Sequence, residues 1–300
     1  MTKLVSSAEF GREDQRWPQC LQFLDASYKR MYTLGCLDIL YKPSLAIIGA
    51  RHATPYGIAV AQMAGRIAAQ SGIVVVSGGA MGVDYAAGKA ALDAGGEIII
   101  VSGCGADVVY PRSSEDIFSA AQSGRGVIVS CEPWHQAPRR YAFPKRNQII
   151  AGLCTSLIVT EAGMPSGTFS TAQTAHELSK NVYAAPGSIF SPQSRGTNRL
   201  IELNSAIISD EVSLETLISI DFGKSRLISS GDSPARGRIL EALVANPMRP
   251  DELALRLDKN ILTIIRTLSE YEAKRLVKRL PDGRYSASEQ SYLPTYCFDA

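Results

Sequence analysis

The stretch Phe143-Pro144-Lys145-Arg146-Asn147-Gln148-Ile149-Ile150-Ala151-Gly152 sets an aromatic, a proline, two adjacent cations and an amide directly ahead of an apolar run. A cation on the first turn of a half-buried helix suits a phosphate, because backbone N–H groups and side-chain charge then point the same way. Just upstream, Pro138-Arg139-Arg140-Tyr141 adds two cations and another aromatic. Cation beside aromatic is the pairing that single-stranded nucleic acid needs, with charge for the backbone and a ring face for the bases. Composition alone favours a plain solvated basic loop here.

Other segments carry related chemistry. In Gly49-Ala50-Arg51 a glycine lets backbone approach a ligand and Arg51 projects beyond an apolar run; Tyr56 follows in Thr54-Pro55-Tyr56-Gly57. Ser77-Gly78-Gly79-Ala80-Met81-Gly82-Val83-Asp84 exposes backbone N–H groups ahead of a helical pattern, without the Gly-Lys-Ser/Thr of a P-loop. Close helix-strand packing explains it equally well. Gly103-Cys104-Gly105-Ala106-Asp107 and Tyr110-Pro111 read as a turn, with Asp107 as a turn former. Glu161-Ala162-Gly163-Met164-Pro165-Ser166-Gly167-Thr168 again brings small residues to a helix start, where Thr168, Ser170 or Thr171 can cap. Four glycine-bearing loops beside Arg51, Lys145 and Arg146 describe an anion-binding crevice. Asp84, Asp107, Glu132 and Glu161 read as cap and turn carboxylates, since no spacing pairs two of them for acid–base work.

These loops alternate with the elements that must hold them. The apolar runs Leu45–Gly49, Ile73–Ser77, Ile98–Ser102, Val127–Ser130, Leu157–Thr160, Asn181–Ala185 and Ala206–Ser209 are each followed by glycine and a helical pattern. Apolarity on both faces predicts a doubly wound, mostly parallel sheet over residues 45–220, covered by helices on both sides, with ligands at the strands' carboxyl ends. Residues 1–44 are expected to form a helical lead-in packed through Trp17, Leu21, Phe23, Leu24 and Leu34. Residues 221–234 are small and polar and read as a linker. Within residues 235–288, helices at Gly237–Asn246, Asp251–Leu257 and Asn260–Ala273 precede a hairpin about Pro281-Asp282-Gly283, the grammar of a winged helix; residues 289–300 form a tail.

Bulk composition narrows the classes. Lys+Arg number 31 against 29 Asp+Glu, a net charge of +2, so no diffuse polyanion attraction is expected. Between Phe222 and Arg284, however, 13 cations face 8 acids. Six cysteines without C-x-x-C spacing read as reduced residues of a cytoplasmic protein. No metal or cofactor is expected, nor a signal peptide or membrane span.

Taken in order, Gly49-Ala50-Arg51, Ser77–Asp84, Gly103–Pro111, Cys131-Glu132-Pro133, Phe143–Gly152, Glu161–Ala172, Ala185-Pro186-Gly187 and Gly196-Thr197-Asn198-Arg199-Leu200-Ile201 resemble the DNA-processing protein A family (DprA, also called Smf) over roughly residues 16–210. The resemblance implies an extended Rossmann-like domain that binds single-stranded DNA, forms homodimers and loads RecA recombinase during natural transformation, without a catalytic reaction. It assigns DNA contact to Arg51 and to Phe143, Pro144, Arg146 and Asn147, with Lys145 in the variable place. The predicted interface comprises Gly49, Arg51, Tyr56, Ser77, Gly78, Gly79, Arg140, Phe143, Lys145, Arg146, Asn147, Ser166, Gly167 and Thr168. Departures from the family pattern fall at Gly88 for a usual histidine, Gln148 for a usual arginine, and Asn204-Ser205 for a usual Gly-Ala.

Two rivals stand beside this reading. Rossmann-like enzymes that cleave nucleotide N-glycosidic bonds carry a Pro-Gly-Gly-x-Gly-Thr loop and a following Glu, whereas Thr168 is followed here by Phe169-Ser170. A regulator centred on the winged helix would use Lys259, Asn260, Thr263, Arg266 and Thr267 in a major groove.

Overall fold

The computed structural model describes residues 5–224, 238–288 and 291. Most of the expected linker and tail fall outside the described residues. The chain divides into two compact units, residues 1–227 and 228–300.

In the larger unit the elements run β1 (Ser6–Gly11), β2 (Arg30–Gly35), β3 (Ser44–Ile48), α1 (Pro55–Gln70), β4 (Val74–Ser77), α2 (Val83–Asp93), β5 (Ile98–Val101), α3 (Glu115–Ala120) and β6 (Gly126–Ser130). They continue through α4 (Ala142–Leu153), β7 (Ser156–Val159), α5 (Gly167–Glu177), β8 (Asn181–Ala184), α6 (Arg195–Glu202), β9 (Ala206–Ile207) and α7 (Glu211–Phe222). All strands join one sheet in the order β1-β2-β6-β5-β4-β3-β7-β8-β9. From β6 to β9 neighbours are parallel, while β2 runs antiparallel to β6, and β1 to β2. The Rossmann-like sheet is therefore present, and the order reverses between β3 and β7.

Period-two alternation sorts the strand side chains onto two faces. Ala46, Ile48, Val74, Val76, Val101, Val129, Leu157 and Val159 pack with α4, α5 and the amino-terminal segment. Leu45, Ile47, Val75, Ile100, Ile128 and Ile158 pack with α1, α2 and α3. Local signals set the helix ends. Thr54 caps α1 by accepting from the Gly57 N–H, Pro55 opens it, and Gly72 follows it in the left-handed region (φ +67°).

Residues 1–44 are not a helical lead-in: Ser6–Gly11 and Arg30–Gly35 are strands that widen the sheet, joined by a segment that buries Trp17, Leu21, Leu24 and Tyr28. Their physical reason is the open edge of β6, whose backbone groups need partners that β2 supplies.

The smaller unit contains α8 (Arg238–Ala245), α9 (Pro250–Leu257), α10 (Ile261–Ala273), β10 (Val277–Arg279) and β11 (Tyr285–Ala287) around Leu240, Leu243, Leu253, Ile264, Leu268 and Val277. Met248 pairs its backbone with Tyr285, adding a third chain segment to the hairpin. Three helices and a hairpin make this a winged helix. The exposed side of α10 mixes Thr263 and Arg266 with Leu262 and Ile265. No helix among the described residues is long and apolar enough to cross a membrane.

Candidate nucleic-acid interface

The switch between β3 and β7 opens a crevice at the carboxyl ends of the strands, where open α/β sheets bind ligands. It encloses about 290 Å³ and is lined by Gly49, Ala50, Arg51, Ala80, Asp84, Phe143, Pro144, Arg146, Asn147, Ser166, Gly167 and Thr168 among others. That is close to the lower bound of about 300 Å³ for small-ligand sites, room for a nucleotide or a phosphate rather than a dinucleotide.

Three elements aim side chains at this space. After β3, Arg51 lies exposed with its guanidinium 5.1 Å from the centre of the Phe143 ring. Phe143 comes from the first turn of α4, and Tyr110 stands against it with ring centroids 6.0 Å apart. An arginine stacked on a ring keeps its N–H edges available for a phosphate. Opposite, Ser166 caps α5 by accepting from the Phe169 N–H at 3.2 Å, and Asn147 reaches the Gly167 carbonyl at 3.5 Å. The Thr168 hydroxyl donates to the Gly49 carbonyl at 3.2 Å, tying the two walls together.

The floor is a buried charge pair. Arg146 is only 7% exposed; Nη1 donates to the Val101 carbonyl at 3.1 Å and Nη2 lies 3.8 Å from Asp84 Oδ2. Its Nε has no partner among the described residues. Burial lowers the Arg146 pKa, the Asp84 charge opposes this, and Arg51 adds to the lowering. Burial likewise pushes the Asp84 carboxyl up, against the pull of Arg146 and of the Ala80 and Gly78 N–H groups. Two guanidiniums face one carboxylate, so the charged lining nets one positive charge and favours an anion.

The Ser77–Gly79 loop behaves differently from a phosphate cradle. Gly78 N and Ala80 N donate to Asp84 Oδ2 at 3.1 and 3.4 Å, and the Ser77 hydroxyl donates to the Ile47 carbonyl at 2.7 Å. The helix that the loop opens thus supplies its own anion. A Cβ at Gly78 would sit 1.1 Å from Arg146 Nη1, so any side chain there would displace the guanidinium from the crevice floor.

Of the predicted residues, the structure brings together Gly49, Arg51, Phe143, Arg146, Asn147, Ser166, Gly167 and Thr168. Ser77, Gly78 and Gly79 lie buried behind them. Tyr56 donates its hydroxyl to the Pro186 carbonyl at 2.6 Å and is outside the lining. Lys145 is turned toward the amino-terminal segment, with Nζ 5.5 Å from the Tyr28 ring centre. Gln148 accepts from the Tyr28 hydroxyl at 3.1 Å on the same side. Arg140 is exposed in the turn ahead of α4. Asp84, expected as a cap or turn carboxylate, does accept from the loop N–H groups at the start of α2; its pairing with Arg146 and the contact of Tyr110 with Phe143 are what residue order did not show.

Glu161 is also accounted for. It is buried and accepts from Thr54 N at 2.7 Å and Thr54 Oγ1 at 2.8 Å, fixing the loop that carries Arg51. Burial pushes its carboxyl up while the two Thr54 donors hold it down, leaving it above the ordinary glutamate range. Its contribution to stability is full below the unfolded pKa and is lost as pH rises through the folded one. With rising pH, the stability difference between parent and Glu161→Gln shifts in favour of the variant. Urea unfolding at a series of pH values checks this; a constant offset would contradict it.

Residues 10–218 match the family model described as DNA recombination-mediator protein A, and residues 226–283 match the DprA winged helix domain. The chain belongs to the DNA recombination-mediator protein A family. It is 33% identical to the DNA processing protein DprA of Streptococcus pneumoniae over 216 residues, covering 68% of this chain and 76% of that one. It is 30% identical to protein Smf of Escherichia coli over 264 residues, covering 84% of this chain and 70% of that one. The Streptococcus pneumoniae DprA crystal structure matches with a TM-score of 0.65 and 32% identity, over 69% of this chain and 72% of that one. DNA processing protein A of Helicobacter pylori, whose structure is described as revealing a single-stranded DNA binding mode, matches with a TM-score of 0.64 and 29% identity. That match covers 74% of this chain and all of the other.

Proposed function

We propose that this chain is a single-stranded DNA-binding recombination mediator that takes a strand at the β3–β7 crevice. The observation that carries the proposal is the Arg51 guanidinium stacked on Phe143, facing the start of α5 across a crevice of net positive charge. Arg51 meets a phosphate, Phe143 stacks a base, and Asn147, Ser166, Gly167 and Thr168 supply polar contacts. Arg146 contributes charge from beneath. Arg140 and Lys145 lie outside the crevice and attract the flanking backbone.

Family membership supports this reading, as does the single strand described for the Helicobacter pylori relative. It acts by binding rather than catalysis: Asp84 and Glu161 are occupied by internal donors, and no carboxylate follows Thr168. In the cytoplasm it would protect incoming DNA during transformation, act as a homodimer and pass strands to RecA recombinase.

A salt titration of oligo-dT and duplex binding tests the core of the proposal. Affinity for oligo-dT falls with salt, by about 0.7 in log-log slope per phosphate contact. Equal affinity for duplex, or no salt dependence, would refute it. The recombinase step is read separately, as faster RecA filament formation on oligo-dT coated with single-strand-binding protein.

A further inference from the structure

We infer that the loop between β8 and α6, residues 186–194, together with Arg195, is a second contact for single-stranded DNA. Phe190 stacks a base there and Arg195 meets a backbone phosphate. The inference rests on the crevice reading above and extends it.

Its first support is the position of the loop. β8 lies beside β7 and parallel to it, so the loop leaves the same sheet edge as the Glu161–Thr168 wall, one strand spacing (about 4.8 Å) further on. The two walls touch: Gly196 N donates to the Ala162 carbonyl at 2.7 Å, and the Pro192 carbonyl packs against Gly163. Between them Met164, 48% exposed, and the exposed Pro165 form apolar ground leading to Ser166.

The second support is what the loop presents. Phe190 is 89% exposed, more than any other aromatic side chain among the described residues, and Ile189 beside it is 78% exposed. The backbone beneath them is held without their help. Gly187 exchanges two 3.1 Å hydrogen bonds with the Asn198 amide, and Tyr56 ties down the Pro186 carbonyl. Phe190 N donates to Ser188 Oγ at 3.3 Å, and Ser191 N to the Ser188 carbonyl at 3.0 Å. A ring on a pinned backbone stacks with little ordering cost. Arg195 is exposed and has no ion-pair partner among the described residues. An exposed aromatic and an exposed cation thus stand five residues apart on one loop and the helix start that follows it. A strand leaving the crevice past α5 meets them next.

The experiment compares the parent with Phe190→Ala, Arg195→Ala and Arg51→Ala on oligo-dT of about 6 and about 20 nucleotides, spanning common site sizes. Phe190→Ala and Arg195→Ala each weaken binding about tenfold on the long oligonucleotide, and they also weaken it on the short one, which is long enough to cross a single strand spacing. Arg51→Ala weakens both. In Phe190→Trp, oligo-dT of the longer length quenches the added indole fluorescence, a stacking signature that a purely structural role would not give. Unchanged affinity of Phe190→Ala and Arg195→Ala at both lengths, with Arg51→Ala still impaired, overturns the second contact and leaves the crevice reading standing. No loss in Arg51→Ala overturns the crevice reading itself. Should Phe190→Ala dissociate an oligomer by light scattering while each remaining copy binds as before, the loop is an interface between copies and the inference fails.

Discussion

Arg51→Ala lowers affinity for oligo-dT by roughly ten- to a hundredfold. A hydrogen bond to a charged group is worth about 1.5–3 kcal/mol, and each 1.4 kcal/mol is a factor of ten. The variant also loses about 0.7 from the log-log salt slope, the signature of one missing phosphate contact. Fluorescence anisotropy at several salt concentrations measures both quantities. The fold should survive, because Arg51 is exposed and its main packing contact is the face of Phe143. Affinity within twofold of the parent, at unchanged slope, would remove Arg51 from the interface.

Asp84→Ala has its large effect on stability. Removing one member of a buried charge pair leaves the other uncompensated and costs about 3–5 kcal/mol. Here the carboxylate also accepts from the Gly78 and Ala80 N–H groups, which would lose their partner. Urea unfolding should show the loss as a lower midpoint with the slope unchanged. Gly78→Ala tests the same assembly from outside the pair, since its methyl group would occupy the space of Arg146 Nη1. If Asp84→Ala unfolds within about 1 kcal/mol of the parent, the pair does not organise the crevice floor.

How much of this could be read from residue order depends on where each element finds its partners. The central strands were legible because both faces are buried, and their apolar runs carry that requirement unmixed, as in Ile98–Val101. β1 was not legible. Its segment Ser-Ser-Ala-Glu-Phe-Gly offers only Phe10 as a fully buried side chain, and its place depends on β2, which depends in turn on distant β6. The third segment of the wing, at Met248, is a two-way backbone pairing with no pattern of its own.

The site divides in the same way. Arg51, Phe143 and the Ser166–Thr168 turn follow from sitting at strand ends beside the switch point. The depth of Arg146 was also written in the sequence: it shares a helix face with Ile149, Ile150 and Leu153, at i+3, i+4 and i+7, and all four are buried. The direction of Lys145 was not, because the Tyr28 ring that it meets arrives from a segment more than a hundred residues earlier. Nor could residue order show that the Ser77 hydroxyl and the Gly78 and Ala80 N–H groups were already taken.

The antiparallel addition of β2 to β6 has a consequence during synthesis. Tyr32 pairs opposite Ser130, so the amino-terminal strands leave the ribosome roughly a hundred residues before their template. At about 5–20 residues per second, that is a wait of several seconds to some twenty seconds. Throughout it Met31, Tyr32 and Leu34 have only the β1 strand beside them, and the apolar faces they later bury against the sheet must wait for β6.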